Sequence, residues 1–182
     1  MPTPLAHSFC GFFFYPETQK HLFKNKVYAG SFIVFLSCLP DFDYFMGMFA
    51  ENLKAGHRLL THSLFFPLIV GIANGTVAKL MNKKFLPFFI LTTSLLSIHL
   101  LLDYLSFDNY PQNGIGVALF WPFLKFFFYF PFHSIADRFS GGPQGLLFIL
   151  INDFYFMIIF LGLFCGLVVY RNARKEKKCA SA

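Results

Sequence analysis

Two histidines and an arginine stand at the start of a long apolar run, within residues 57–63 (HRLLTHS). Imidazole nitrogens bind zinc, manganese and iron, and ionisable groups at membrane depth seldom lie there without a partner. His57 and His62 are five residues apart, about 140° around an ideal helix, so both cannot point inward from one helix. We therefore expect His57 to bind a metal from the entry turn, and His62 from the first helical turn.

Other segments carry residue types that complete such a site. His99 and Asp103 are spaced i and i+4, which places them on one helix face, where both can bind a metal or Asp103 can orient His99. Asp41 and Asp43 follow a proline that breaks helical geometry, and two carboxylates so close repel each other unless a cation neutralises them. His7 lies near the amino terminus. These residues predict the partners that the two histidines need.

Counting residues along each apolar segment from its basic end predicts that these side chains lie at one depth in the membrane. His7, Asp41 and His99 each lie thirteen or fourteen residues from that end, which is about 20 Å of helix. More ligands converge than one ion needs, which predicts two or three divalent ions, with zinc, manganese or iron suited to the ligand types. The predicted metal ligands are His7, Asp41, Asp43, His57, His62, His99 and Asp103.

The composition is that of an integral membrane protein built from helices. Of its 182 residues 56% are hydrophobic and 13% charged, against roughly 25% charged in soluble domains, and 29 are Phe. The net charge of +6 falls in short clusters between apolar runs, which favours a lipid bilayer rather than nucleic acid as the partner. The four cysteines lack CxxC spacing, and no basic stretch precedes the first apolar run, which argues against a cleaved signal peptide.

The apolar runs predict an all-α fold with about five transmembrane helices. Residues 115–132 hold Pro122, Pro131 and the only Trp, so we expect this aromatic segment to lie at the membrane interface rather than to cross. We interpret residues 1–170 as a single integral-membrane domain and 171–182 as a basic tail. The predicted spans cover residues 4–19, 27–50, 59–80, 85–107 and 145–170.

The distribution of basic residues predicts the orientation. With five spans, the site residues lie at one face together with Lys54, Arg58, Lys125 and Arg138. A larger set collects at the other face: Lys20, Lys24, Lys26, Lys79, Lys83, Lys84, Arg171, Arg174, Lys175, Lys177 and Lys178. Because basic residues are enriched on the cytoplasmic side, we expect a cytoplasmic tail and a site on the opposite face.

Five motifs together resemble the YdjM-type family of membrane-bound metal-dependent hydrolases. They are His7 after MPTPLA, PDFD at 40–43, HRLLTHS at 57–63, HLLLD at 99–103 and FWPF at 120–123. The resemblance covers roughly residues 1–170 and implies a helical protein of the bacterial inner membrane with a metal-dependent hydrolase site. The order of the ligands is also similar to that of bacterial zinc-dependent phospholipase C enzymes, which would imply phosphoester hydrolysis.

The leading hypothesis is hydrolysis of a phosphoester in an amphiphilic or lipid-linked substrate, because divalent ions activate water near neutral pH. Asp43 would bridge ions or accept the proton, and Thr61 could orient a ligand through its hydroxyl. Arg58 could bind phosphate through two hydrogen bonds, or equally anchor a lipid headgroup. Asp43 and Arg58 are thus the predicted catalytic residues.

Two rival functions and several isolated residues stay open at this point. Polar residues within spans also build metal or proton transporters, and a catalytically silent regulatory protein could use the ion for stability. His133 with Asp137 repeats the His-x-x-x-Asp spacing in a polar loop, Asp153 either lines the pocket or makes a packing contact, and His21 suits an interfacial position. The oligomeric state is open.

Overall fold

The computed structural model describes residues 2–43, 59–106, 116–124, 126–128 and 146–180. Helices are the only regular secondary structure among the described residues, which confirms the all-α prediction for this part of the chain. Their only strand-like pairing is an isolated antiparallel bridge between Val117 and Phe128. The α-helices are α1 (Pro4–Gly11), α2 (Tyr15–His21), α3 (Lys26–Cys38), α4 (Phe65–Leu80), α5 (Phe85–Leu105) and α6 (Leu146–Ala180).

The first three helices follow one another along the chain and lead to the turn that carries Asp41. A 3-10 turn, Phe12–Phe14, joins α1 to α2. Asn25 caps the start of α3, where its side chain accepts a hydrogen bond of 2.8 Å from the Val27 amide. At the end of α3 a second 3-10 turn, Leu39–Phe42, has Pro40 as its second residue and carries Asp41. The proline suits the first turn of such a segment because no hydrogen bond is required of its nitrogen there.

Helices α4 and α5 form a closely packed hairpin. A Cβ atom added at Gly71 would clash with the Thr93 hydroxyl and lie 3.3 Å from the Phe89 carbonyl oxygen, so glycine favours this close approach of the two helices. One turn further along, Asn74 donates a hydrogen bond of 2.6 Å to the Thr92 hydroxyl, which satisfies a polar pair in the interface. This packing fixes α5, whose carboxyl-terminal end carries His99 and Asp103.

The predicted span over residues 59–80 is wrong at its start, and so is the placement of His62 in a helical turn. Helix α4 begins only at Phe65. Before it, the Ser63 hydroxyl donates to the Leu60 carbonyl at 2.8 Å, and the Leu64 amide donates to the Leu119 carbonyl at 2.9 Å. These bonds take the backbone out of helical pairing, so His62 lies in the turn that precedes α4.

Two helices among the described residues are long and apolar enough to cross a membrane, in the windows Phe85–Leu105 and Asp153–Arg171. The five-span count therefore stays a prediction, as does the division of the chain at residue 170, where α6 continues without interruption. Residues 116–124 and 126–128 contain turns and the isolated bridge, so this described part of the aromatic segment forms no membrane-spanning helix.

Several basic residues gather at the end of the bundle away from the carboxyl terminus of α5. Arg171 on α6 pairs with Glu17 on α2 at 2.7 Å, and Lys83 just before α5 lies 5.4 Å from the centre of the Phe23 ring. Helix α5 runs from this end toward His99 and Asp103. The ligand-type residues and these basic residues thus lie at opposite ends of α5.

Candidate metal centre

Four side chains from three elements converge on one point. Asp41, His62, His99 and Asp103 each offer one donor atom, and these atoms all lie within 4.8 Å of one another. The Nε2 atoms of His62 and His99 are 3.4 Å apart, and each is 3.1 Å from the Asp103 Oδ2 atom. Asp41 Oδ1 lies 3.7 Å from His62 Nε2 and 3.5 Å from His99 Nε2.

Five of the six separations between these four atoms are close to those around a tetrahedral divalent cation. Ligands held at about 2.0–2.2 Å from a tetrahedral ion lie about 3.3–3.6 Å from one another, and the five separations above run from 3.1 to 3.7 Å. Two imidazoles and two carboxylates are a ligand set that zinc, manganese and iron accept. This group could therefore hold a metal ion.

The two imidazoles are held with their Nε2 atoms toward the centre by bonds on their other nitrogen. His99 Nδ1 lies 2.7 Å from the Ser37 carbonyl oxygen, which can only accept, so the proton of a neutral His99 is on Nδ1. His62 Nδ1 lies 3.0 Å from the Thr61 hydroxyl, which donates to Asp43 Oδ2 at 2.7 Å. Both Nε2 lone pairs are thus directed at the centre, as metal-binding histidines require.

Burial and contact geometry argue for a cation rather than for ion pairs alone. His62, His99 and Asp103 are buried, and neither Asp103 oxygen makes a hydrogen bond of normal geometry within the described residues. If both histidines were protonated, two N–H groups would face each other across 3.4 Å. Buried carboxylates are costly unless neutralised, and one ion between the four donors removes both conflicts.

His7 lies beside this group without being one of the four. Its ring stacks on His99 with centroids 3.8 Å apart and planes inclined by 20°. Its Nε2 atom is 3.5 Å from Asp103 Oδ1, the carboxylate oxygen that does not contact His62 or His99 in the group of four. The structure therefore brings His7, Asp41, His62, His99 and Asp103 together.

The remaining predicted residues are placed differently or lie outside the described part. Asp43 is on the Nδ1 side of His62, at 3.5 Å, so within the described contacts it orients that ring through Thr61. His57, Arg58, His133 and Asp137 lie outside the described residues, and their roles stay predictions.

Two residues singled out in the sequence have partners elsewhere. Asp153 is buried and accepts hydrogen bonds from the Thr3 amide, at 2.9 Å, and from the Thr3 hydroxyl. His21 lies 3.3 Å from Glu17 on the surface of α2. Both contacts are with residues outside the group of four.

Sequence reasoning missed the contribution of α3 to the site. The Ser37 carbonyl orients His99, and a Cβ atom at Gly11 would lie 2.1 Å from the Ser37 Oγ atom, so glycine at this position lets α1 approach α3. A backbone carbonyl leaves no signature in residue types. The glycine four residues after His7, on the same helix face, was the available signal.

Comparison with known proteins returned one family. No match was found among curated proteins or among solved structures. The family model described as YdjM inner membrane protein matches residues 3–178, nearly the whole chain. Since the match includes every element that builds the site, the chain belongs to the YdjM family of inner membrane proteins.

Proposed function

We propose that this protein is a membrane-embedded, metal-dependent hydrolase that cleaves a phosphoester of an amphiphilic or lipid-linked substrate. The observation that carries the proposal is the convergence of Asp41, His62, His99 and Asp103 on one point at separations that suit a divalent ion. Zinc is the ion we favour, because two imidazole nitrogens and two carboxylate oxygens make a four-coordinate set. Manganese is the alternative.

Some residues of the site would bind the ion, and others would orient the histidines that bind it. A divalent ion held here would supply Lewis acidity and lower the pKa of bound water. The Ser37 carbonyl fixes the His99 tautomer, while Thr61 and Asp43 do the same for His62. In this proposal Asp43 also accepts a proton during hydrolysis, and Arg58 binds the phosphate group of the substrate.

An apolar cavity beside α1, the helix that carries His7, favours an amphiphilic substrate over a soluble one. A cavity of about 310 Å³ lies between α1 and α6 and is lined mainly by aromatic residues, among them Phe9, Phe12, Phe160 and Phe164. Helix α1 contributes His7 to the site and Phe9 to the cavity, and Phe12 follows directly in the 3-10 turn. An acyl or prenyl chain could occupy the cavity while the phosphate reaches the metal-binding residues.

The proposed orientation places the basic tail in the cytoplasm and the site on the opposite face. It is supported by the gathering of Arg171 and Lys83 at the end of the bundle away from His99 and Asp103. Single cysteines at residues 56 and 175, in a chain without its native cysteines, would be labelled in intact spheroplasts with an impermeant maleimide. Labelling at 56 alone is expected, and labelling at 175 alone would reverse the orientation.

The function is tested by measuring bound metal and phosphatase activity on the same preparations. Protein purified in detergent is expected to contain zinc or manganese and to release phosphate from some member of a panel of lipid phosphates. His99→Ala should lose both properties, whereas the control His21→Ala, an exposed histidine outside the site, should keep both.

Other outcomes would favour the rival functions. Metal uptake into proteoliposomes without hydrolysis of any panel member would favour a transporter. Loss of the fold on chelation, again without hydrolysis, would favour a metal-stabilised protein with no catalytic activity. Unchanged metal content in His99→Ala would overturn the assignment of the site itself.

A further inference from the structure

His7 is a buried histidine that the group of four leaves unexplained. Its side chain is 1% exposed, and neither ring nitrogen has a hydrogen-bond partner among the described residues. A buried imidazole that serves packing alone normally donates one hydrogen bond and accepts another, because an unsatisfied polar atom costs about 1–3 kcal/mol. Two unsatisfied nitrogens on one ring indicate that something else binds there.

Asp103 offers the matching ligand. Its Oδ2 atom is 3.1 Å from both His62 Nε2 and His99 Nε2, whereas its Oδ1 atom lies 3.5 Å from His7 Nε2. The Oδ1 atom is itself buried without a hydrogen bond in the described part of the chain. The carboxylate thus presents one oxygen to the group of four and the other oxygen to His7.

The separation of 3.5 Å is long for a hydrogen bond but suits two ligands of one ion. Nitrogen and oxygen ligands at about 2.0–2.2 Å from a cation lie about 3.0–3.6 Å apart at ordinary coordination angles. The ring of His7 cannot easily turn away, because it stacks on His99 at 3.8 Å.

We propose that His7 and Asp103 hold a second divalent cation, with the Asp103 carboxylate bridging it to an ion in the group of four. This inference deepens the proposed hydrolase function and rests on it, since the second ion would share a ligand with the first. Within the described residues two protein ligands face the second position, and water or a substrate oxygen could complete the coordination. Two ions that share a bridging ligand can stabilise both the attacking and the leaving oxygen in phosphoester hydrolysis.

The structure also explains how α1 keeps His7 in place. Thr3, at the start of α1, is bound by Asp153 of α6, and Gly11, at its end, lies against Ser37 of α3. Both ends of the helix are therefore fixed, with His7 midway between them. Such support is what a ligand needs for a defined geometry.

The test is metal stoichiometry, with manganese as a spectroscopic probe. Protein stripped with chelator and reloaded with Zn²⁺ alone should bind two ions per chain by elemental analysis. His7→Ala should bind one, His7→Asp should recover the second, and the control His21→Ala should bind two. After loading with Mn²⁺, the wild-type protein should give the electron paramagnetic resonance spectrum of a coupled pair, and His7→Ala that of an isolated ion.

The outcomes separate this inference from the proposed function. One Zn²⁺ per wild-type chain, or two in a His7→Ala protein that elutes as a single species, would overturn the second site and leave the first intact. No bound Zn²⁺ in the wild-type protein would overturn both. If His7→Ala fails to fold, His7→Gln replaces it, because glutamine keeps much of the volume, and it should likewise bind one ion.

Discussion

Helices α5 and α6 look alike in sequence and differ in what they do. Both are apolar enough to cross a membrane, yet 44% of the apolar stretch of α5 is buried inside the protein against 11% of that of α6. Helix α5 carries His99 and Asp103 on its buried side, while the exposed side chains of α6 include Phe154 and Ile158. Hydropathy thus identifies a helix that can span the membrane without revealing whether it faces lipid or protein.

Each of the two helices carries one buried carboxylate, and the two carboxylates have chemically different partners. Asp103 on α5 contacts three histidines and makes no hydrogen bond of normal geometry among the described residues. Asp153 on α6 accepts two hydrogen bonds from Thr3, which satisfies both of its oxygens. A carboxylate satisfied by protein donors serves structure, whereas one surrounded by imidazoles could bind a cation together with them.

The largest expected effect is the removal of the α5 carboxylate. Asp103→Ala should reduce metal affinity by more than about 100-fold, because removing a direct ligand costs more than the 10–100-fold typical of an outer partner. Metal content after dialysis against a weak chelator measures this. The matched change on α6 is Phe154→Ala, at a side chain 59% exposed, which should leave the content unchanged. Equal losses of metal in both variants would mean that α5 has no special role in metal binding compared with α6.

The next effect concerns a residue that acts on the site from outside α5. Thr61→Ala should weaken metal binding by about 10–100-fold, because His62 loses the hydroxyl that orients its Nδ1 atom. Thr61→Ser keeps the hydroxyl and should restore most of the affinity. Competitive titration with a zinc-binding dye compares the variants, and an affinity in Thr61→Ala equal to that of wild type would contradict this role.

A smaller effect is expected from the carboxylate of α6. Asp153→Ala should lower the free energy of unfolding by about 1.5–3 kcal/mol, because the Thr3 amide and hydroxyl lose a charged acceptor. Thermal unfolding in detergent measures the loss, with Asp153→Asn expected in between. The ion held by the group of four should remain bound. Loss of that ion would show that α6 supports the site as directly as α5 does.

The sequence predicted which side chains come together better than it predicted how they are arranged. The i, i+4 spacing of His99 and Asp103 and the depth count for His7 and Asp41 depend on helical rise alone, and these residues do come together. The position of His62 in a turn could not be read from the sequence. It depends on a bond from Leu64 to Leu119, whose separation along the chain gives no local signal.

The role of Asp153, unlike that of Asp103, was hidden from the sequence. Both aspartates are surrounded by apolar residues, and only Asp103 has a histidine four residues before it that indicates a site. What separates them is the partner, since Asp153 meets Thr3 across 150 residues of chain. Only the packing of α1 against both α5 and α6 determines which carboxylate is satisfied by protein donors.

The smallest effect is expected at the far end of α6, where Arg171 pairs with Glu17 at 2.7 Å. Both side chains are partly exposed, so Arg171→Ala should change the free energy of unfolding by less than about 1 kcal/mol. Added salt should reduce the effect further because it screens exposed charges. A double-mutant cycle with Glu17→Gln isolates the coupling. A coupling well above 1 kcal/mol would mean that this ion pair anchors α6 to α2. Helices α5 and α6 would then differ in how much of their side-chain surface is buried but not in how firmly they are held.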